Sequence, residues 1–148
     1  MDIRASREKV FAILKDVESY PKMFHYLHQL KVISRNKNHL IAEILEDLFG
    51  LVKVWVRTRF RFEEPERVTI EQIRGPFTKA IGWFQLQKKD ETTTSLVHGA
   101  ELTAGGPMGF LGLFFLRSGE AKRRMMQEVL AIKERAEADT EGGAPQKS

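Results

Sequence analysis

In Val52-Lys53-Val54-Trp55-Val56-Arg57-Thr58-Arg59-Phe60-Arg61-Phe62, apolar side chains at 52, 54, 56, 60 and 62 alternate with Lys53, Trp55, Arg57, Arg59 and Arg61. Period-two alternation places the two sets on opposite faces of a β-strand. A strand over 51–63 therefore has an apolar face and a basic face. Antiparallel sheets with one side in a core and one in water read this way.

Working outward, turn residues recur at Asn36-Lys37-Asn38, Phe49-Gly50, Pro65-Glu66, Gly75-Pro76 and Asp90-Glu91-Thr92. They delimit strands near 28–35, 39–48, 51–63, 67–74, 79–88 and 93–103. Connections this short predict a meander. Inward parity takes in Val68 and Ile70, then Phe84 and Leu86, then Leu96, Ala100 and Leu102, while Trp83 beside Phe84 leaves that strand's facing open. Ahead of the sheet, Ser6 caps an amphipathic helix ending near Asp16. A second helical turn follows, with Ser19 as cap, Pro21 near its start, and Phe24, Tyr26 and Leu27 turned inward.

After Gly105-Gly106-Pro107 a stripe of Leu111, Phe114, Ser118, Ala121, Met125, Val129, Ile132 and Ala136 marks one long helix. About twenty-five residues of helix run roughly 38 Å, enough to cross a sheet. The expectation is an α+β domain over 1–138, a curved antiparallel sheet of six or seven strands wrapped on a long C-terminal helix, and a disordered tail at 139–148. A concave sheet gripping a helix tends to leave a hollow.

The 148 residues suit a single core, and the absence of cysteine excludes disulfides, thiolate nucleophiles and cysteine-ligated metals. A net charge of +4 mildly favours anionic partners such as membrane surfaces or RNA, though ordinary domains carry as much. The longest apolar run, Phe110 to Leu116, is too short to span a bilayer, and no signal-like segment opens the sequence. The cytoplasm is the expected compartment.

Two segments carry a resemblance. Val10-Phe11-Ala12-Ile13-Leu14-Lys15-Asp16-Val17-Glu18-Ser19-Tyr20-Pro21 resembles an opening signature of V-F/Y, a hydrophobic pair and D-V-x-x-Y-P. Gly75-Pro76-Phe77-Thr78-Lys79-Ala80-Ile81-Gly82-Trp83 is similar to G-P-F-x-x-L-x-x-x-W, one residue shorter. With Lys53 and Trp55 they resemble the START/polyketide-cyclase (SRPBCC) superfamily, in the branch of coenzyme Q-binding proteins and ribosome-association toxins. The resemblance implies the helix-grip fold, β-α-α-β6-α, shared with the birch-pollen allergen. It also implies a lipid, polyketide or isoprenoid quinone as guest between sheet and helix. Two departures stand out. Only Met1 to Arg4 are left for the first strand, and Gln85 stands where an aromatic belongs, which would shift that strand's register.

The expected cavity lining is Val54, Val56, Thr58, Phe60, Ile70, Gln72, Phe84, Leu96, His98, Ala100, Leu111, Phe114 and Met125. Among these, His98 would hydrogen-bond a carbonyl or quinone head, with Gln72 and Thr58 helping to orient it. The plainer alternative for His98 is a core histidine satisfied by a backbone carbonyl or water. Met108, Phe110 and Phe115 form a candidate gate that touches a membrane, followed by the basic Lys122-Arg123-Arg124. A stretch of that kind within a helix is otherwise its wet side. Lys53, Arg57, Arg59 and Arg61 form a basic face that could meet RNA, as ribosome contact would require. Cross-strand partners such as Glu71 are the alternative there.

An aromatase/cyclase-type enzyme would need paired carboxylates. Glu43, Glu46 and Asp47 share one strand and Glu101 lies on another, yet Glu43, Asp47 and Glu101 have outward parity. No catalytic residue is assigned on this evidence. His25 and His28 lack a placed third ligand and His39 sits at a turn, so no metal is expected. Neither a cofactor nor DNA is expected either. A hydrophobic small molecule is the leading partner.

Overall fold

The alternation at 52–62 becomes an inner strand of a seven-stranded antiparallel sheet. The computed structural model describes residues 1–48, 50, 52–105 and 109–142, with 139–142 by backbone alone. In chain order the elements are β1 (Asp2–Ile3), α1 (Arg7–Lys15), a 3-10 turn (Val17–Ser19) running into α2 (Tyr20–Met23), β2 (Leu27–Arg35), β3 (His39–Leu48), β4 (Val52–Glu63), β5 (Arg67–Arg74), β6 (Phe77–Asp90), β7 (Thr93–Ala104), α3 (Gly109–Arg117) and α4 (Glu120–Gly142). The strand order is β1-β7-β6-β5-β4-β3-β2, so β2 to β7 form the meander and β1 adds an edge beside β7. That edge strand has only two residues, pairing Asp2 with Ser95 and Ile3 with Thr94.

Local chemistry explains the turns and caps. Asn36 Oδ1 accepts the backbone N–H groups of Asn38 and His39 at 3.0 and 2.9 Å, an Asx turn that closes the β2–β3 hairpin. Ser6 Oγ accepts the Lys9 N–H at 3.2 Å and caps α1. Ser19, expected to cap the next turn, instead donates to Asp16 Oδ2 at 2.6 Å.

On the concave side Val54, Val56, Thr58, Phe60 and Phe62 are buried. The convex side carries ion pairs across strands, Arg57 Nε to Glu43 at 3.4 Å and Arg59 Nη1 to Glu71 at 3.0 Å. Trp83, whose facing parity left open, lies on the convex side against Gly99 with the Arg67 guanidinium 5.3 Å from its ring, so Phe84 points inward. Gln85 accepts from Arg67 Nη1 at 2.8 Å on that same side. The β6–β7 register runs without a shift from Lys79 opposite Thr103 to Lys88 opposite Thr94, so the missing aromatic does not displace the strand.

The single C-terminal helix expected from the stripe is two helices. Gly119 adopts φ +80°, the left-handed conformation that ends helices, and the chain turns there. Ser118 Oγ then accepts the Glu120 N–H at 3.3 Å at the start of α4. The helix continues to Gly142, past the point where a disordered tail was expected, and 143–148 lie outside the described residues. α4 crosses the sheet with Val129, Ile132 and Ala136 buried, joined by Val10, Phe11 and Leu14 of α1. Among the described residues, no helix is long and apolar enough to cross a membrane.

Candidate functional site

A hollow remains because side-chain size is graded along the concave face. Where α1 and α4 meet the sheet, Phe84, Leu86, Leu96 and Phe60 fill the space. Toward the α3–α4 corner the inward positions of β6 and β7 fall to Ala80, Gly82 and Ala100, and a cavity of about 180 Å³ opens between them and α4. A deeper recess of about 80 Å³, lined by Phe60, Phe84, Tyr20 and Phe24, shares five walls with it: Tyr26, Glu46, Thr58, Ile70 and Glu128. An apolar cavity of about 150 Å³ holds benzene, so this space takes one substituted ring.

The polar groups gather where cavity and recess meet. His98 stacks on its cross-strand neighbour Phe84, ring centroids 4.1 Å apart. Its Nδ1 lies 2.9 Å from the Trp83 carbonyl oxygen and its Nε2 lies 2.8 Å from Glu128 Oε1. A carbonyl oxygen only accepts, so Nδ1 carries the hydrogen and Nε2 of a neutral ring is an acceptor. Glu128 then donates as a carboxylic acid. Burial holds its proton, pushing its pKa from 4.5 up to about 8, and burial also lowers His98 below its usual 6.5. The result is a neutral acid–imidazole pair in an apolar wall.

Beside it, burial raises Glu46, and Arg124 opposes that shift. Arg124 donates to the Asp47 carbonyl oxygen at 2.7 Å, and its guanidinium stacks 4.0 Å from the Tyr26 ring centroid. Burial also lowers the pKa of Arg124, while Glu46, Glu120 and Asp47 hold its charge. Gln72 Nε2 donates to the Phe77 carbonyl oxygen at 2.7 Å, and its amide oxygen lies against Gly75.

Of the residues expected to line a cavity, Val56, Thr58, Ile70, Gln72, His98, Ala100 and Met125 border the main space, and Phe60 and Phe84 border the recess. Val54 is instead packed with Leu48 and Phe115, and Leu96 belongs to the solid core. Leu111 is half-buried and Phe114 is 59 % exposed, because the break at Gly119 resets the helical phase and turns Gly112 and Phe115 inward instead. Of the gate residues, Phe115 is cavity wall, Phe110 faces solvent, and Met108 lies outside the described residues. On the basic face, Lys53 and Arg61 are exposed, while Arg57 and Arg59 carry the ion pairs given above. Arg124, read with Lys122 and Arg123 as a wet basic stretch, is buried, whereas its two neighbours are exposed. His28 sits 3.2 Å from Asp47 Oδ2.

Sequence reasoning gave Glu46 no role, took Arg124 for part of a wet basic stretch, and missed Glu128. Glu46 shares parity with Ala42, Ile44 and Leu48, a signal that was present. Glu128 stands three places after Met125 and four before Ile132, and Arg124 stands three after Ala121, so both fall on the buried face of α4.

A curved sheet closed by a C-terminal helix over an apolar hollow defines the helix-grip class of ligand-binding domains. Within it, the chain belongs to the polyketide cyclase/dehydrase and lipid transport family, whose model matches residues 3–129. Among solved structures, the chain is similar to the ZhuI aromatase/cyclase from Streptomyces sp. R1128, with TM-score 0.83 and 15 % identity over 97 % of this chain and 94 % of that one. A START superfamily protein from Mycobacterium smegmatis superposes with TM-score 0.69 and 17 % identity over 93 % of each chain. The di-domain aromatase/cyclase StfQ of the steffimycin biosynthetic pathway matches at TM-score 0.75 and 13 % identity, covering 95 % of this chain and 49 % of that one. Comparison with curated proteins found no match.

Proposed function

We propose that the protein binds a small ring-bearing hydrophobic molecule between sheet and α4, directs a carbonyl or phenol oxygen of that molecule at the His98–Glu128 pair, and carries or shelters it. The observation behind this reading is the hydrogen bond of 2.8 Å between His98 and Glu128 set among the apolar walls of the cavity. Burying about 150 Å² of ring surface stabilises by roughly 4 kcal/mol at 25 cal/mol per Å². A guest phenol donates to the free carboxyl oxygen of Glu128, and a guest carbonyl takes the Glu128 proton in place of His98 Nε2, so either is oriented by a group that adds no charge to the apolar space. A quinone ring, the head group implied by the sequence resemblance, is of this class. A polyprenyl tail exceeds the 180 Å³ of the cavity and would leave past α3.

Native mass spectrometry and solvent extraction of the purified protein test the proposal. Gly82 supplies the matched control, because a Cβ there meets only the Gly99 carbonyl oxygen at 3.6 Å. Gly82→Leu therefore fills the cavity without forcing the backbone. The expected result is a ring-bearing molecule extracted from the wild type and absent from Gly82→Leu, with a short-chain quinone raising the melting temperature of the wild type alone. No extracted molecule together with no shift would remove the proposal.

A second reading rests on the same pair. A protonated Glu128 hydrogen-bonded to an imidazole can donate to an oxygen of the guest and receive the proton back, the acid/base step of a dehydration or cyclisation. Here Glu128→Gln, which keeps a donor toward His98 Nε2, would bind the guest and leave it unconverted. Equal turnover in Glu128→Gln and wild type would exclude the enzyme.

A further inference from the structure

α3 presents its most apolar side to solvent. Phe110, Leu113 and Phe114 are 72, 43 and 59 % exposed. They occupy positions i, i+3 and i+4, with Arg117 at i+7 completing one helical face. The opposite face seats the helix. A Cβ on Gly112 would lie 2.7 Å from the Pro76 carbonyl oxygen, so only glycine allows this approach, and Phe115 packs edge-on against Phe77 at 5.8 Å. A surface helix with both faces apolar has an outer face suited to something other than water.

Charge indicates what that is. Arg117, Lys122 and Arg123 are exposed around the α3–α4 corner. Arg74 is exposed at the end of β5, next to the Gly75-Pro76 turn on which α3 rests. Lys53 is exposed at the start of β4 on the convex side, next in sequence to Val54, which packs with Leu48 and Phe115. Of the acids nearby, Glu120 pairs with Arg123 at 2.7 Å and Glu101 with Lys79 at 2.9 Å.

We propose that this face is a docking surface for an anionic lipid bilayer, with Phe110, Leu113 and Phe114 entering the headgroup boundary and the surrounding lysines and arginines meeting lipid phosphates. An apolar patch ringed by cations matches an interface of greasy interior and negative surface. A second copy of the chain matches it poorly, since two-fold pairing would bring like-charged rings together. Because Phe115 on the same helix is a cavity wall, docking sets that wall against the membrane.

The test is flotation of the full chain with vesicles. Binding is expected to phosphatidylcholine containing about a third phosphatidylglycerol, to weaken with added salt, and to fall about fivefold for each basic residue neutralised among Arg117 and Lys122. Phe110→Ser with Leu113→Ser should lose it, with folding checked by circular dichroism. A direct readout that does not depend on that variant is Phe110→Trp, whose fluorescence should be quenched by brominated lipid beyond the quenching of the wild-type tryptophans. Absence of flotation, or no added quenching, overturns the proposal. Concentration-dependent dimerisation that shields the Phe110→Trp indole from a soluble quencher would also overturn it and assign the face to a second copy. None of these readouts needs an occupied cavity, and Gly82→Leu should dock as the wild type does, so this proposal and the ligand reading fail separately.

Discussion

Glu128 and His98 couple the site to pH. From pH 6.5 upward the folded His98 ring stays neutral, since burial lowers its pKa, while the unfolded ring loses its remaining protons, which raises stability slightly and equally in wild type and Glu128→Gln. Glu128 differs: the unfolded chain has released its proton above 4.5, while the folded chain holds it until about 8. The folded state therefore binds more protons across that interval, and stability falls as pH rises through it, by roughly 1.4 kcal/mol per pH unit at most, levelling once the folded acid ionises. Glu46, also raised by burial, acts in the same sense. Urea unfolding at pH 6.5 and pH 8 should show wild type losing more stability than Glu128→Gln. An unchanged slope in the variant would mean that Glu128 is already ionised at neutral pH. His98 was legible as a polar group on an apolar strand face. Its partner was not, because Glu128 lies thirty residues away on a helix and only tertiary packing brings the two within a hydrogen bond.

At the scale of elements, the strands were the most legible. A period of two persisted through each, and every boundary carried turn chemistry such as Asn36 or Asp90, whose side chain accepts the Thr92 N–H at 2.8 Å. The C-terminal helix was read less well. An apolar stripe that stays nearly in phase across 111–136 does not reveal a break, because a helix-compatible Ser-Gly pair signals an end only when the glycine takes positive φ. That conformation gives a prediction. Gly119→Ala forces a Cβ into φ +80° and should cost about 1 kcal/mol or more, measured by denaturant midpoint at unchanged m-value. Since the turn sets the angle of α3 to α4, the same change should alter the exposure of Phe110 and weaken vesicle flotation. If stability and flotation both match wild type, Gly119 does not hold the corner.

Across the whole molecule, large side chains weld α1, α4 and one end of the sheet into a solid core, and small ones leave the other end open. Ile132, fully buried where α4 crosses the sheet, should cost about 2 to 5 kcal/mol as Ile132→Ala by calorimetry or urea unfolding. Met126, 55 % exposed on the same helix, should cost little as Met126→Ala. Comparable losses at both positions would contradict the packing of α4. What the sequence by itself determined is the α+β class, six strands of the meander and the apolar face of those whose alternation is clean, since these follow from short-range periodicity and turn residues; the facing of the strand at 79–88 was left to the structure. Only the tertiary structure decided that the C-terminal segment bends at Gly119, that Arg124 and Glu128 turn inward, and that Phe114 turns out. The physical reason is that burial of a helical side chain depends on where neighbouring elements lie, and local spacing supplies the phase of a helix without the surface against which it packs.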